Sequence, residues 1–455
     1  MLFRNSNSGS VKRLAAVAAI AAVAAVTLSA CGSSGGGEQT GSATEGSINW
    51  WGWTPDTSVA EKYIAAFNEE YPDIEVTYRN FENGDYKAAL RAGLQSNSGP
   101  DVFDIALGGD VADFGTFGDF GLDLRPALEE QLGDDWEDDF TFSNDGLTRE
   151  DGSVAGVSMG GVAAGMIWIN QSMFDELGAK VPTNYDEWVA ACDIFAAAGK
   201  DCLAMGVIPG RSFAMETWRS IVSTIEPGLW YSALQGDASW DDPAFEEGLE
   251  VLAQMKEDGI IRDDVTGLAQ YPDANNAFLS EQAAMVQMGT WYAQYSKEDS
   301  AIASMEAAGV TDPTPFVQLP IPFPEVGGNP ATLFGELDYG LSVNARSNAT
   351  APATTFALWL TATEQGSQII ANAIDLIPGF VGVEPQWDDL GLVAPDVQIP
   401  AIQTMYADAA ASDESRNQLV TPALAQAFDV AVASVLEGST TPADAIATLV
   451  SSTQG

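Results

Sequence analysis

From Ile48 onward, short apolar runs of strand length alternate with stretches whose apolar residues recur at helical spacing, and no repeat of fixed period is evident. Such alternation predicts an α/β fold. Ile48 to Trp51 reads as a strand, Ser58-Val59-Ala60-Glu61 as a capping box, and Val59, Tyr63, Ala66 and Phe67 give the helix that follows one apolar face. Pro72 stops that helix. Ile74 to Tyr78 alternates as a strand should, Tyr86, Leu90 and Leu94 share one side of a second helix, and Asp101 to Leu107 reads as a third strand. The opening is therefore βαβαβ. In such sheets ligands bind beyond the carboxyl ends of the strands, here the turns after Trp51, after Tyr78 and around Asp104 to Asp110. Later come a Pro-rich crossing from Pro313 to Pro330, a helix near 353–373, and a final helix start at Thr441-Pro442. No Gly/Ser linker divides this body, so two lobes must be joined by short crossings within continuous structure.

Charge excludes whole classes of function. The chain of 455 residues has 18 Lys and Arg against 65 Asp and Glu, a formal net charge of −47, and no His. Such a surface repels phosphate backbones and anionic lipid, so neither nucleic acid nor a basic membrane patch is expected. Without an imidazole there is no Ser-His-Asp triad, no HExxH zinc site and no His-ligated metal, and neither cofactor nor metal is predicted.

The first thirty residues have the three-part layout of an export signal: Arg4, Lys12 and Arg13, then an apolar run from Leu14 to Leu28, then small residues. The run is short for a bilayer-spanning helix, which needs about 20 apolar residues. Leu28-Ser29-Ala30-Cys31 resembles the bacterial lipobox, which implies cleavage after residue 30, lipidation at Cys31 and a protein tethered to the outer face of the cell membrane by lipid alone. Residues 31–46 read as the lipidated Cys and a polar, flexible tether. An exported chain meets an oxidising environment, so the two remaining cysteines, Cys192 and Cys202, are expected to pair; two free buried thiols are the alternative.

Several landmarks in the body resemble, in order, the extracellular solute-binding proteins of ABC importers, in particular the carbohydrate-binding family that includes maltose-binding protein. They begin with Trp50-Trp51-Gly52-Trp53 and Gly99-Pro100-Asp101-Val102, and continue through Gly156-Val157-Ser158-Met159, Trp168-Ile169-Asn170 and Phe174-Asp175-Glu176-Leu177-Gly178. Pro182 to Trp188, Met288-Gly289-Thr290-Trp291, Ile377-Pro378-Gly379 and Thr441-Pro442 complete the series. The resemblance implies a type II periplasmic-binding-protein-like fold of two α/β lobes about a ligand cleft, monomeric, non-catalytic, and read by a membrane permease when closed. It places the crossings near 157–161, 335–340 and 406–416. The first lobe is then 47–157 plus 337–410, and the second 158–336 plus 411–455.

A sugar offers hydroxyls and weakly apolar ring faces, so its cleft needs flat aromatic platforms beside carboxylates and amides. Trp51 and Trp53 follow the first strand, the resemblance places Trp291 facing the cleft, and Trp218 and Trp230 lie where it implies further platforms. Each of these tryptophans could instead be core. Among polar residues, Glu82 follows the second strand, Asp104 and Asp110 flank the turn after the third, and Glu336 and Asp338 sit at the second crossing. Arg211, between Gly210 and Ser212, could donate to a hydroxyl or a carboxylate, or form a surface ion pair. The sequence thus predicts carbohydrate capture, with two alternatives open. One is a polyamine or other cation as ligand; the other is a secreted glycoside hydrolase, which needs only a carboxylate pair. Gly156-Val157-Ser158-Met159-Gly160 matches a nucleophile elbow but has no histidine base, and the acidic stretch from Asp134 fails the spacing of a calcium loop.

Overall fold

The computed structural model describes residues 39–96, 98–108, 111–210 and 212–453. The expected signal, Cys31, Asp110 and Arg211 lie outside the described residues. Among the described residues ten strands build two sheets: β1 (Gly46–Gly52), β2 (Ile74–Asn80), β3 (Val102–Ala106), β4 (Val157–Ala164), β5 (Met166–Asn170), β6 (Asp201–Ala204), β7 (Ala283–Gln287), β8 (Gln318–Pro322), β9 (Phe334–Val343) and β10 (Ile377–Pro378). The first sheet runs β10-β4-β9-β3-β1-β2, the second β6-β7-β5-β8.

β1 pairs in parallel with β2 and β3, which completes the βαβαβ opening that the sequence spells. β9 then inserts between β3 and β4, antiparallel to both. Along the helix Thr57–Glu70, Val59, Tyr63 and Phe67 are buried as their spacing requires. Its start differs from the capping-box reading. The helix begins at Thr57 with Asp56 as N-cap, and the Asp56 side chain makes no cap bond. Instead its carboxylate accepts from the Tyr295 hydroxyl at 3.0 Å, so a partner far along the chain has replaced the local one.

The end of the polar tether is not free of the body. Thr40 N–H donates to the Asn348 carbonyl at 2.6 Å, and the Thr355 hydroxyl donates to the Ala43 carbonyl at 2.9 Å. The passages between sheets also fall elsewhere than the resemblance implies. Residues 157–161 lie inside β4 and 335–340 inside β9, because the two strands stay paired as far as Ala164 and Phe334. The chain leaves the first sheet at Gly165, where φ is +99°, a backbone conformation open to glycine, and returns between Pro322 and Phe334. The segment between the helices Pro395–Ala410 and Pro422–Glu437 is laced to the second passage. There the Ser412 hydroxyl donates to the Leu333 carbonyl at 2.6 Å and Gly335 N–H to the Glu414 carbonyl at 2.8 Å.

Each sheet has its own core. Trp50, Tyr63, Phe67, Leu341 and Phe356 cluster about the first. Trp188, Trp218, Trp230, Phe245 and Phe428 cluster with the second, so the last two helices, Pro422–Glu437 and Pro442–Thr453, fold back onto it. In a third cluster, Ile402 and Met405 of the helix Pro395–Ala410 pack with Met166 and Trp168 of β5 and with Phe278 of the helix Asn275–Leu279. Cys192 and Cys202, on a helix and on β6, are joined by a disulfide with their Cα atoms 5.0 Å apart.

Candidate ligand cleft

A cleft of about 850 Å³ opens at the carboxyl ends of β1 and β2 and is lined on its other side by Phe213, Glu216, Tyr271, Asn275, Trp291 and Tyr295. Its shape begins with the parity of β1. Trp50 points into the first core, where its indole N–H donates to Asp104 at 2.8 Å. Trp51 points to the opposite face. Trp53 shares that parity but lies past the strand end, half-exposed on the cleft wall against Tyr86 and Tyr339.

Five of the residues expected in the site line this one cavity: Trp53, Glu82, Trp291, Glu336 and Asp338. Four do not. Trp51 is packed under the Arg79 guanidinium, 4.9 Å from its ring centroid, and against Gly93 of the helix Asn83–Leu94. Asp104 is fully buried beneath the end of β1, its pKa pushed well up by burial, and it leaves no room for a side chain at position 52. A Cβ on Gly52 would lie 2.2 Å from its Oδ2. Trp218 and Trp230 stand edge to face at 4.9 Å inside the second core, where both are buried. Trp218, on the helix Ala214–Ile225, and Trp230, on the next helix, Leu229–Gln235, both belong to that core.

The floor is a charge network that the sequence reading did not anticipate. Glu216 is buried and accepts from Arg416 Nε at 2.7 Å and from Gln287 Nε2 at 3.0 Å. Arg416 Nη2 lies 2.5 Å from the same carboxylate and Nη1 3.9 Å from Asp338. Its guanidinium carbon sits 4.5 Å from the Trp291 ring centroid, so one face of that indole is already covered. The indole N–H donates to the Tyr271 hydroxyl at 3.1 Å, and Phe213 meets the ring edge to face at 5.7 Å. Glu336 accepts the backbone N–H groups of Asn417 and Gln418 at 2.6 and 2.8 Å.

Enclosure between the walls raises the carboxyl pKa values here. Glu336 is pushed up to about 7, against the opposing pull of the Gln418 and Asn417 N–H groups. Asp338 reaches about 6 despite the nearby Arg416. Asp375, also on the cavity wall, reaches about 7 by burial. Beyond Glu216 and Arg416, the sequence reading missed Asp56, Phe213, Tyr271 and Asp375. Asp56 had a usable signal, since it follows the first strand as Trp53 does, and Arg416 ends the third expected crossing. Glu216 and Asp375 had none, being helix and loop carboxylates among 65 acidic residues.

Ring platforms beside carboxylates can hold a polyhydroxylated ligand between the two walls. No curated protein matches the chain. Solved structures do. A chitin oligosaccharide binding protein is 20% identical, with 90% of this chain and 98% of that one covered and a TM-score of 0.67. Maltose-bound MalE3 of T. maritima is 16% identical, covering 89% and 98%, with a TM-score of 0.68. A structure from work on xylan utilization by the thermophilic bacterium Caldanaerobius polysaccharolyticus is 23% identical, covering 89% and 99%, with a TM-score of 0.66. At these identities the likeness fixes the fold as two-lobed and binding-protein-like. A sequence profile of the bacterial extracellular solute-binding proteins matches residues 51–367, most of the folded body, and the chain belongs to that family.

Proposed function

We propose that the protein captures a carbohydrate, an oligosaccharide by the size of the cleft, between its two lobes and hands it unchanged to the permease of an ABC importer. One observation carries this reading: a single cavity of about 850 Å³ brings Trp53 and Trp291 together with Glu82, Glu336 and Asp338. That volume falls within the roughly 300–1,000 Å³ of small-ligand sites. Indoles give flat apolar faces for sugar rings, and carboxylates accept from pairs of hydroxyls. The neighbours described as binding a chitin oligosaccharide and maltose support the ligand class.

In this reading the protein acts as a monomer at the outer face of the membrane, held by lipid on Cys31 after residues 1–30 are removed. Closure of the lobes on the ligand is the signal to the permease, and it is driven only by contacts the ligand gains with the second lobe. The test is a tryptophan-fluorescence titration of the chain lacking residues 1–31 against mono- and oligosaccharides, with the incubated ligand recovered and chromatographed. Saturable binding of a sugar recovered intact is the expected result. Recovered fragments would make the protein a hydrolase, and silence toward every sugar would remove carbohydrate from the reading.

A further inference from the structure

The cleft holds more carboxylate than neutral hydroxyls call for. Among the described residues seven acidic side chains line it against three basic ones, and several of these acids are already engaged. Glu216 is taken by Arg416, Glu336 by two backbone N–H groups, and Asp429 accepts from Gly210 N–H at 2.7 Å and from the Ser212 hydroxyl at 3.2 Å. Of the other four, Glu82 is exposed and three remain only lightly engaged. Asp56 accepts a single neutral hydroxyl, that of Tyr295. Asp338 lies 3.9 Å from Arg416, whose fork is turned to Glu216. Asp375 is 2% exposed, its Oδ1 accepts from the Tyr63 hydroxyl at 3.4 Å, and its Oδ2 has no hydrogen-bond partner.

A buried carboxylate left without a partner is costly, and native structures retain one where something else satisfies it. The basic residues described in the lining do not: Arg416 is committed to Glu216, the Lys87 ammonium lies 3.6 Å from Asp113, and Arg91 is exposed at the end of the helix Asn83–Leu94. At Asp375 the nearby charges of Asp338 and Asp56 oppose ionisation, partly offset by the pull of Lys297. An ammonium placed among them would relieve that repulsion, whereas a hydroxyl would supply one proton and no charge.

We propose that the carbohydrate captured here bears a protonated amino group, seated against Asp56, Asp338 and Asp375. The inference rests on the carbohydrate reading above and narrows it from polyols to basic sugars. Trp53 and Trp291 hold the ring faces, and the three acids discriminate at the amine. Selectivity then comes from the cost of leaving those acids unrelieved when a neutral sugar enters.

The test is a titration against matched sets: glucosamine, galactosamine and mannosamine, and the β-1,4 glucosamine tetramer, each beside its N-acetylated and its hydroxyl counterpart, with spermidine as a sugar-free amine. At least one amino sugar should bind about tenfold or more tighter than both counterparts, with the advantage shrinking as salt rises. Asp375→Asn should bring the ratio of amino to neutral affinity toward one. Asp56→Asn, at an exposed position, provides the same reading should the buried substitution fail to fold. Neutral sugars bound as well as their amino counterparts would overturn the inference and leave carbohydrate capture standing. Spermidine bound with no sugar bound would overturn both, and a ratio unmoved by either variant would remove the three acids as its cause.

Discussion

Arg416 and Trp291 form a face-on pair in the wall of the cleft, with the guanidinium carbon 4.5 Å from the ring centroid while its nitrogens grip Glu216. One residue therefore orients an aromatic platform and neutralises a buried acid. Arg416→Ala should destabilise the fold by about 3–5 kcal/mol, since it strands Glu216 as an unpaired buried charge. Arg416→Ala combined with Glu216→Gln should recover a large part of that loss, and urea unfolding of the double-mutant cycle measures the recovery.

In the proposed reading Trp291 is a sugar platform with one face held by Arg416, so Trp291→Ala should weaken sugar binding by about 1 kcal/mol or more, roughly fivefold. Fluorescence from the remaining tryptophans follows the titration. An unchanged affinity in a folded variant would take Trp291 out of the site.

Trp230→Ala should do the reverse. The side chain is packed against Trp218, Trp240, Phe245 and Phe428, so its loss should cost about 3–5 kcal/mol of stability. Binding by the folded fraction should be unaltered, because the residue does not line the cleft.

Stability should fall as pH rises from 5 to 8. Asp375, Glu336 and Asp338 titrate near 7, 7 and 6 in the folded protein but near 4 once unfolded, so between these values the folded state binds more protons. Their contribution is complete below about pH 4 and is lost as the pH passes through 6 to 7. General acidic repulsion has the same sign, so the decisive comparison is urea unfolding of Asp375→Asn, whose dependence on pH should be shallower than that of the parent.

Breaking the Cys192–Cys202 bridge, by reduction or by exchanging both residues for Ala, should cost about 2–3 kcal/mol for a closed loop of this length. Thermal melts with and without reductant measure it.

Local periodicity made the first half of the architecture legible. The spacing of Val59, Tyr63 and Phe67 and the alternation from Ile74 define their elements without help from distant residues. The same strand-end logic reaches Trp53 and Glu82. Where the reading failed, long-range partners had changed the meaning of a residue. The helix Ala214–Ile225 looks amphipathic, with Glu216, Arg219 and Ser220 fit for solvent. All three are buried because the segment at 414–416 covers that side: Arg219 lies 2.7 Å from Glu414, and Glu216 holds Arg416. Trp218 of this helix points into the second core, whereas Glu216 reaches the cleft. Asp104 reads as a turn acid, yet β3 carries it under β1 to meet Trp50. The passages were misplaced for a related reason, since the pairing of β4 with β9 extends both strands beyond where the landmark residues stop.

The insertion of β9 between β3 and β4 has a consequence for how the chain is made. Synthesis runs from the amino end, so for as long as residues 334–343 are still to come the first sheet is two fragments with a missing middle strand. The second core waits longer, because Phe428, Val432 and Leu449 come from the last two helices. Neither half can be finished in isolation as the nascent chain lengthens, and the protein reaches its native form only when almost its entire length is free.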